Sequence, residues 1–243
     1  IRCGYAVWPP ALEIDPNTRE FSGFDFELMN LVAAKMDLKI EWTEETGWGN
    51  SPVGVKAGRF DMFCNSNWQD PRKAKQVIFS KPYFYNPVFV AARIDDSRFD
   101  DGYEALNNED VTIIGLDNDP STFIALEDFP KAKTLITPDM TSIAELMESI
   151  YLRKADAFII SYSHTHKYFE NNPGKLKILT DLKPIRLFPV GLELPQDRQF
   201  ENMINAALDE IVTSGKMKEL LDKYFGAEGL SYYQVWQPTP VQP

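Results

Sequence analysis

Two cysteines and two histidines in 243 residues are too few for a disulfide scaffold and leave little for a metal centre. Cys3 and Cys64 have no metal-ligand spacing; each sits in a short apolar stretch, which suits a buried thiol or one half of a single bridge. No apolar run approaches the roughly 18 to 20 residues that cross a bilayer. No charged-then-apolar leader is present, and Ile1-Arg2-Cys3 already reads as a strand, so a leader or an upstream domain is expected to precede it. Basic side chains are the minority charge. Twenty-five Lys plus Arg stand against 36 Asp plus Glu, a net charge of −11. That field repels phosphate backbones and anionic bilayers, so no nucleic-acid or membrane-surface partner is expected. Nucleophile elbow, phosphate loop, HExxH and paired CxxC are all missing.

What is present is a core-forming composition: 44% hydrophobic, 13% aromatic and 25% charged residues, without low-complexity tracts. Ile1 to Val7 reads as a strand ending at Trp8-Pro9-Pro10, and Gly23 opens a helix in which Phe24, Leu28, Leu31, Val32 and Met36 recur at three-to-four spacing. Leu38 to Thr43 is a strand, Pro52 to Ala57 a short helix and Phe60 to Cys64 a strand. A second alternating unit follows the acidic stretch Asp95 to Asp110. It has a strand at Val111 to Leu116, a helix at Pro120 to Leu126, a helix at Ser142 to Leu152 opened by a Ser142/Glu145 capping box, and a strand at Asp156 to Ile160. Extended chain at Ile185 to Leu194 leads to two helices, one with Phe200, Ile204, Leu208 and Ile211 on a single face and one from Lys216 to Phe225. The tail from Gly226, with Tyr232, Tyr233, Trp236 and three prolines, reads as an extended strap or linker. Two strand-helix units predict an α/β protein with parallel sheets in two lobes, and ligands at the carboxyl ends of the strands.

Four blocks in order carry a family resemblance: Gly23-Phe24-Asp25-Phe26-Glu27-Leu28, Lys56-Ala57-Gly58-Arg59-Phe60-Asp61, Arg72 with Phe79-Ser80-Lys81-Pro82-Tyr83, and Ala155-Asp156-Ala157. Together they resemble the extracytoplasmic solute-binding proteins of the amino-acid ABC transporter type, over roughly residues 1 to 225. The resemblance implies a two-lobed clamshell of doubly wound sheets, the type II periplasmic-binding fold. Residues 1–90 plus 189–243 would form the first lobe and 91–188 the second, with the hinge near 88–93 and 186–190.

Asp70-Pro71-Arg72 reads as a helix start, and an arginine fork beside a helix N-terminus suits a carboxylate. The resemblance assigns Arg72 the grip on the ligand's α-carboxylate. Trp8, Trp48 and Trp68 fall just after strands or in the loops at their carboxyl ends, as ligand walls or core, Trp68 evenly balanced between the two. The resemblance places a stacking aromatic at Trp48, a second wall near Trp8, and the ligand amine at Asn65 and Ser66. Asp119-Pro120-Ser121-Thr122 repeats the helix start, with Asp119 as cap and the Ser121 and Thr122 hydroxyls free for an anion. Ser161 stands where the resemblance places the aspartate that pairs with the α-ammonium, and serine provides no countercharge; Asp119, or Asp117 two residues before it, is then a candidate replacement. His164 and His166 read as a solvated pair, not a metal site.

These features imply a periplasmic or extracytoplasmic receptor, monomeric and without cofactor, that closes over a small carboxylate-bearing solute for a membrane ABC permease. A sensor domain on the same fold is the alternative. An enzyme resembling cyclohexadienyl dehydratase is a more distant one, since no carboxylate stands out as its general acid.

Overall fold

Hydrophobic spacing becomes short parallel strands covered by helices in the computed structural model, which describes residues 1–226 and 229–235. In chain order the first half comprises β1 (Arg2–Tyr5), β2 (Glu13–Ile14), β3 (Phe21–Ser22), α1 (Phe24–Lys35), β4 (Glu41–Glu45), α2 (Ser51–Lys56), β5 (Met62–Trp68) and β6 (Ile78–Phe79). Then come β7 (Phe84–Arg93), β8 (Thr112–Leu116), α3 (Pro120–Asp128), β9 (Lys133–Thr137), α4 (Ile143–Tyr151), β10 (Ala157–Ser161), α5 (His166–Asn171) and β11 (Leu176–Ile178). The chain closes with β12 (Arg186–Leu194), α6 (Arg198–Thr213), α7 (Lys216–Phe225) and β13 (Tyr233–Gln234).

The main sheet runs β4-β1-β5-β12-β7-β10-β8-β9. Its two ends repeat one winding. β1 lies between its parallel neighbours β4 and β5, as β8 lies between β9 and β10. A long antiparallel strand flanks each set, β12 beside β5 and β7 beside β10. Those two strands also pair with each other from Arg186↔Val88 to Val190↔Phe84, so each crosses from one half of the sheet to the other. This is the α/β architecture that the alternating pattern predicts, with parallel strands whose carboxyl ends converge on the middle of the molecule.

Local signals explain most element ends. Gly23, at φ 112°, occupies a conformation closed to most side chains and leads into α1. Asp119 caps α3 by accepting from the Ser121 N–H at 2.9 Å, and Ser142 and Glu145 form the expected capping box on α4.

Three expectations change. β5 continues past Cys64 to Trp68, because Val190 and Gly191 of β12 pair with Trp68 and Asn67 and hold the chain extended. The helix expected from Asp70 is one 3-10 turn, Lys73–Lys75; Val77 is buried and Ile78 pairs with Leu194, so the chain must leave the turn at once. β9 was not legible, since its burial alternates weakly at the sheet edge. In the tail, Tyr233–Gln234 pairs with β7 as a short strand; Trp236 and the prolines at 238, 240 and 243 lie outside the described residues. Cys3 and Cys64, on neighbouring strands, form a disulfide with Cα atoms 5.4 Å apart, which resolves the two readings in favour of the bridge.

Candidate functional site

The carboxyl ends of β5, β8 and β10 and the loops after β1 and β4 enclose a cavity of about 430 Å³, counted out to its solvent-facing opening. From the first half of the sheet come Trp8, Trp48, Ser66, Asn67 and Trp68. From the second come Leu116, Asp119, Ser121, Phe158, Ile160 and His164. Trp8 and Trp48 stand perpendicular, 5.9 Å between centroids, and form an aromatic corner. Trp68 stacks flat on Phe188 at 4.8 Å, while its buried Nε1 makes no hydrogen bond.

The polar wall is braced from behind. Ser66 Oγ donates to Asp25 Oδ1 at 2.5 Å and accepts from Tyr83 Oη at 2.6 Å, and Asn65 Nδ2 donates to Asp25 Oδ2 at 2.9 Å. Asp25 is fully buried at the start of α1, and burial raises its carboxyl to about 7 against the downward pull of these bonds. Asn67 Nδ2 donates to Glu193 Oε1 at 2.5 Å, and Lys73 Nζ reaches the same oxygen at 3.2 Å and the Trp48 carbonyl at 2.8 Å. Lys73 and Glu193 are therefore a buried ion pair behind the wall. Burial raises the Asp119 carboxyl, with Ser121 and Lys73 pulling it back. His164 Nδ1 lies 2.6 Å from Ser161 Oγ, and burial drives its imidazole down to about 4, so it is neutral at pH 7.

Of the ten residues singled out by sequence, six meet at this cavity: Trp8, Trp48, Ser66, Trp68, Asp119 and Ser121. Four stand outside its lining. Arg72 caps the start of a single 3-10 turn, Lys73–Lys75, rather than opening an α-helix, so no helix dipole reinforces it. Its guanidinium contacts Asp70 at 3.1 Å and Glu127, and lies 4.1 Å over the Phe123 ring. Asn65 is spent on Asp25 and on the backbone of Ala6. Thr122 donates to the Leu116 carbonyl at 2.6 Å. Ser161 is buried behind His164, within a run of hydroxyls that continues through Ser163 to Asn86.

The histidines are not the solvated pair expected: both are half-buried, and His164 lines the cavity, edge-on to Trp8. Asn67, Leu116, Phe158 and Ile160 were missed. The signal for Phe158 and Ile160 was period-two alternation, which puts both on one face at a strand's carboxyl end, and Leu116 is the last residue of its strand; Asn67 falls between Ser66 and Trp68, out of their alternation, and had no such signal.

The model of the bacterial extracellular solute-binding proteins, family 3, matches residues 1–227. The "Probable amino-acid ABC transporter-binding protein" of Haemophilus influenzae is 26% identical over 208 residues, 85% of this chain and 77% of that protein. Among solved structures, an ancestral amino acid-binding protein described as a precursor of cyclohexadienyl dehydratase superposes with a TM-score of 0.81 at 23% identity, covering 93% of this chain and 95% of that one. A histidine kinase sensor domain with similarity to periplasmic binding proteins reaches 0.81 at 18% identity, covering 97% of both chains. At these identities the solved structures establish the fold, which is the type II periplasmic-binding fold. With a family match over nearly its whole length, this chain belongs to the bacterial extracellular solute-binding proteins of family 3.

Proposed function

We propose that this chain is the extracytoplasmic receptor of an ABC transporter, which captures a small solute between its two lobes and presents the closed form to a membrane permease. The observation that carries the reading is where the cavity lies: its wall comes from both halves of the sheet, so an occupant is gripped from both sides only when the halves are together. Lobe one comprises residues 1–90 plus 189–243 and lobe two 91–188. In support, β7 exchanges its partner β12 for β10 around Val88. The same closure would serve a sensor domain, and a histidine kinase sensor domain shares this fold.

Native mass spectrometry of the purified protein, followed by a thermal-shift screen of amino acids, amines and small carboxylates, tests the proposal. A ligand at a hundred times its Kd adds about 2.7 kcal/mol of stability, so binding is visible as a clear rise in melting temperature. A protein that retains no solute and responds to none of these classes is not a receptor for small solutes.

One observation favours a second reading: Asp119 is a carboxyl group in the wall with a raised pKa, as a general acid requires. Prephenate and arogenate, the substrates such an enzyme would take, carry carboxylates, and among the described residues no Lys or Arg lines the cavity. Binding is therefore the better account. Incubation with either compound and an absorbance assay decides between them, since an aromatic product at turnover rates would replace receptor by enzyme.

A further inference from the structure

Among the described residues, Asp119 is the one charged side chain in the cavity wall; the rest is tryptophan, phenylalanine, aliphatic, hydroxyl or amide, with His164 held neutral. The basic side chains that follow Asp70 in sequence are both committed to acids. Arg72 contacts Asp70 and Glu127, and Lys73 contacts Glu193. Those three acids and Asp119 thus surround two bases, an excess of negative charge. Two buried carboxylate oxygens of the group, Asp70 Oδ2 and Glu193 Oε2, make no hydrogen bond. A solute carboxylate brought here would meet no free cation and a net negative environment. An ammonium group meets the reverse: an acid, and the corner made by Trp8 and Trp48, whose π-systems attract cations. Trp68 Nε1, a buried donor without an acceptor, calls for one neutral acceptor on the same solute.

Resting on the receptor reading above, we propose that the cavity selects a small organic cation with an apolar body and a neutral hydrogen-bond acceptor, anchored by Asp119 and the tryptophan corner, in place of an amino acid anchored by its carboxylate on Arg72. The ligand class is thus an amine, amide-bearing amine or methylated ammonium compound.

Probes that share a skeleton and differ in charge test this by calorimetry: L-leucinamide, L-leucine and 4-methylpentanoate, together with choline and its uncharged analogue 3,3-dimethylbutan-1-ol. Leucinamide and choline are expected to bind at least tenfold more tightly than their zwitterionic, anionic or neutral counterparts. Asp119→Asn keeps a capping oxygen for α3 and removes the charge, so it is expected to weaken cation binding at least tenfold while circular dichroism and melting temperature stay near wild type. Trp48→Leu gives an independent loss that does not involve the cap. Arg72→Ala is expected to change affinity no more than about fivefold, the loss of its contacts to Glu127 and Phe123. Tighter binding of leucine or 4-methylpentanoate, or abolition of binding by Arg72→Ala, overturns the proposal and leaves the receptor reading intact. Equal affinity for choline and its neutral analogue overturns it too. Silence from every probe, with no solute retained in native mass spectrometry, overturns both.

Discussion

Asp25 titrates in a range that its sequence context does not advertise. At the start of α1 it reads as an ordinary first-turn acid, yet it is fully buried against Ser66 and Asn65, and its carboxyl is raised to about 7. In the unfolded chain the same group ionises near 3.8. Between about pH 4 and pH 7 the folded state therefore binds the extra proton, and on this group's account stability falls as pH rises through that window, by at most about 1.4 kcal/mol per pH unit. Urea unfolding at pH 4.5, 5.5 and 6.5 is expected to show a shallower decline for Asp25→Asn than for wild type, whatever the variant's absolute stability. Parallel pH profiles would mean that Asp25 is ionised in the fold.

Among elements, β1 is short and holds β5 through only two registered pairs, Cys3↔Met62 and Gly4↔Phe63. The Cys3–Cys64 disulfide ties the same two strands across a sequence separation of 61 and encloses α1, β4 and α2. In the chain-entropy model a loop of that length is worth about 4 kcal/mol. Cys3→Ala/Cys64→Ala, compared with the oxidised protein in urea, is expected to lose roughly that much, and reduction of the wild type should reproduce the loss. A change below about 1 kcal/mol would show that the hydrophobic packing around β1 suffices without the bridge. Sequence placed each thiol in a strand; the register that brings their Cα atoms to 5.4 Å was fixed only when the sheet formed.

For the whole molecule, direct contacts join the two halves beside the cavity. Arg72 meets Glu127 and Phe123 of α3, and Asn50 Nδ2 donates to Asp139 at 2.7 Å. Both are solvent-exposed, and such pairs are each worth about 0 to 1 kcal/mol. On the proposed two-lobe reading they act on closure. Glu127→Lys with Asp139→Lys is thus expected to weaken whatever solute the wild type retains by about two- to fivefold per site, mainly through faster dissociation. Small-angle scattering should show the solute-bound wild type near the roughly 18 Å radius of gyration of a compact chain of this length, with the double variant larger. Unchanged dissociation and scattering would mean that the halves do not separate.

The sequence by itself determined what depends on neighbours in the chain: the strand-helix alternation, the Asp119 and Ser142 caps, the helical face of α6 and the aromatics near strand ends. Propensity, periodicity and capping act within a few residues, so they can be read there. It also determined the family, because four short blocks keep their order. What only tertiary structure decided is how the site's charges are spent. Arg72 and Asp70 are two residues apart, but Glu127 is brought to Arg72 from α3, and Glu193 to Lys73 from β12. A basic residue in a sequence is a free anchor; in the fold its charge belongs to whichever acid the long-range pairing sets against it. The same long-range pairing of β12 kept β5 extended through Trp68 and reduced the helix at Arg72 to one turn. Cavity, neutral His164 and committed cations all follow from contacts between residues tens to more than a hundred positions apart, where local rules have no reach.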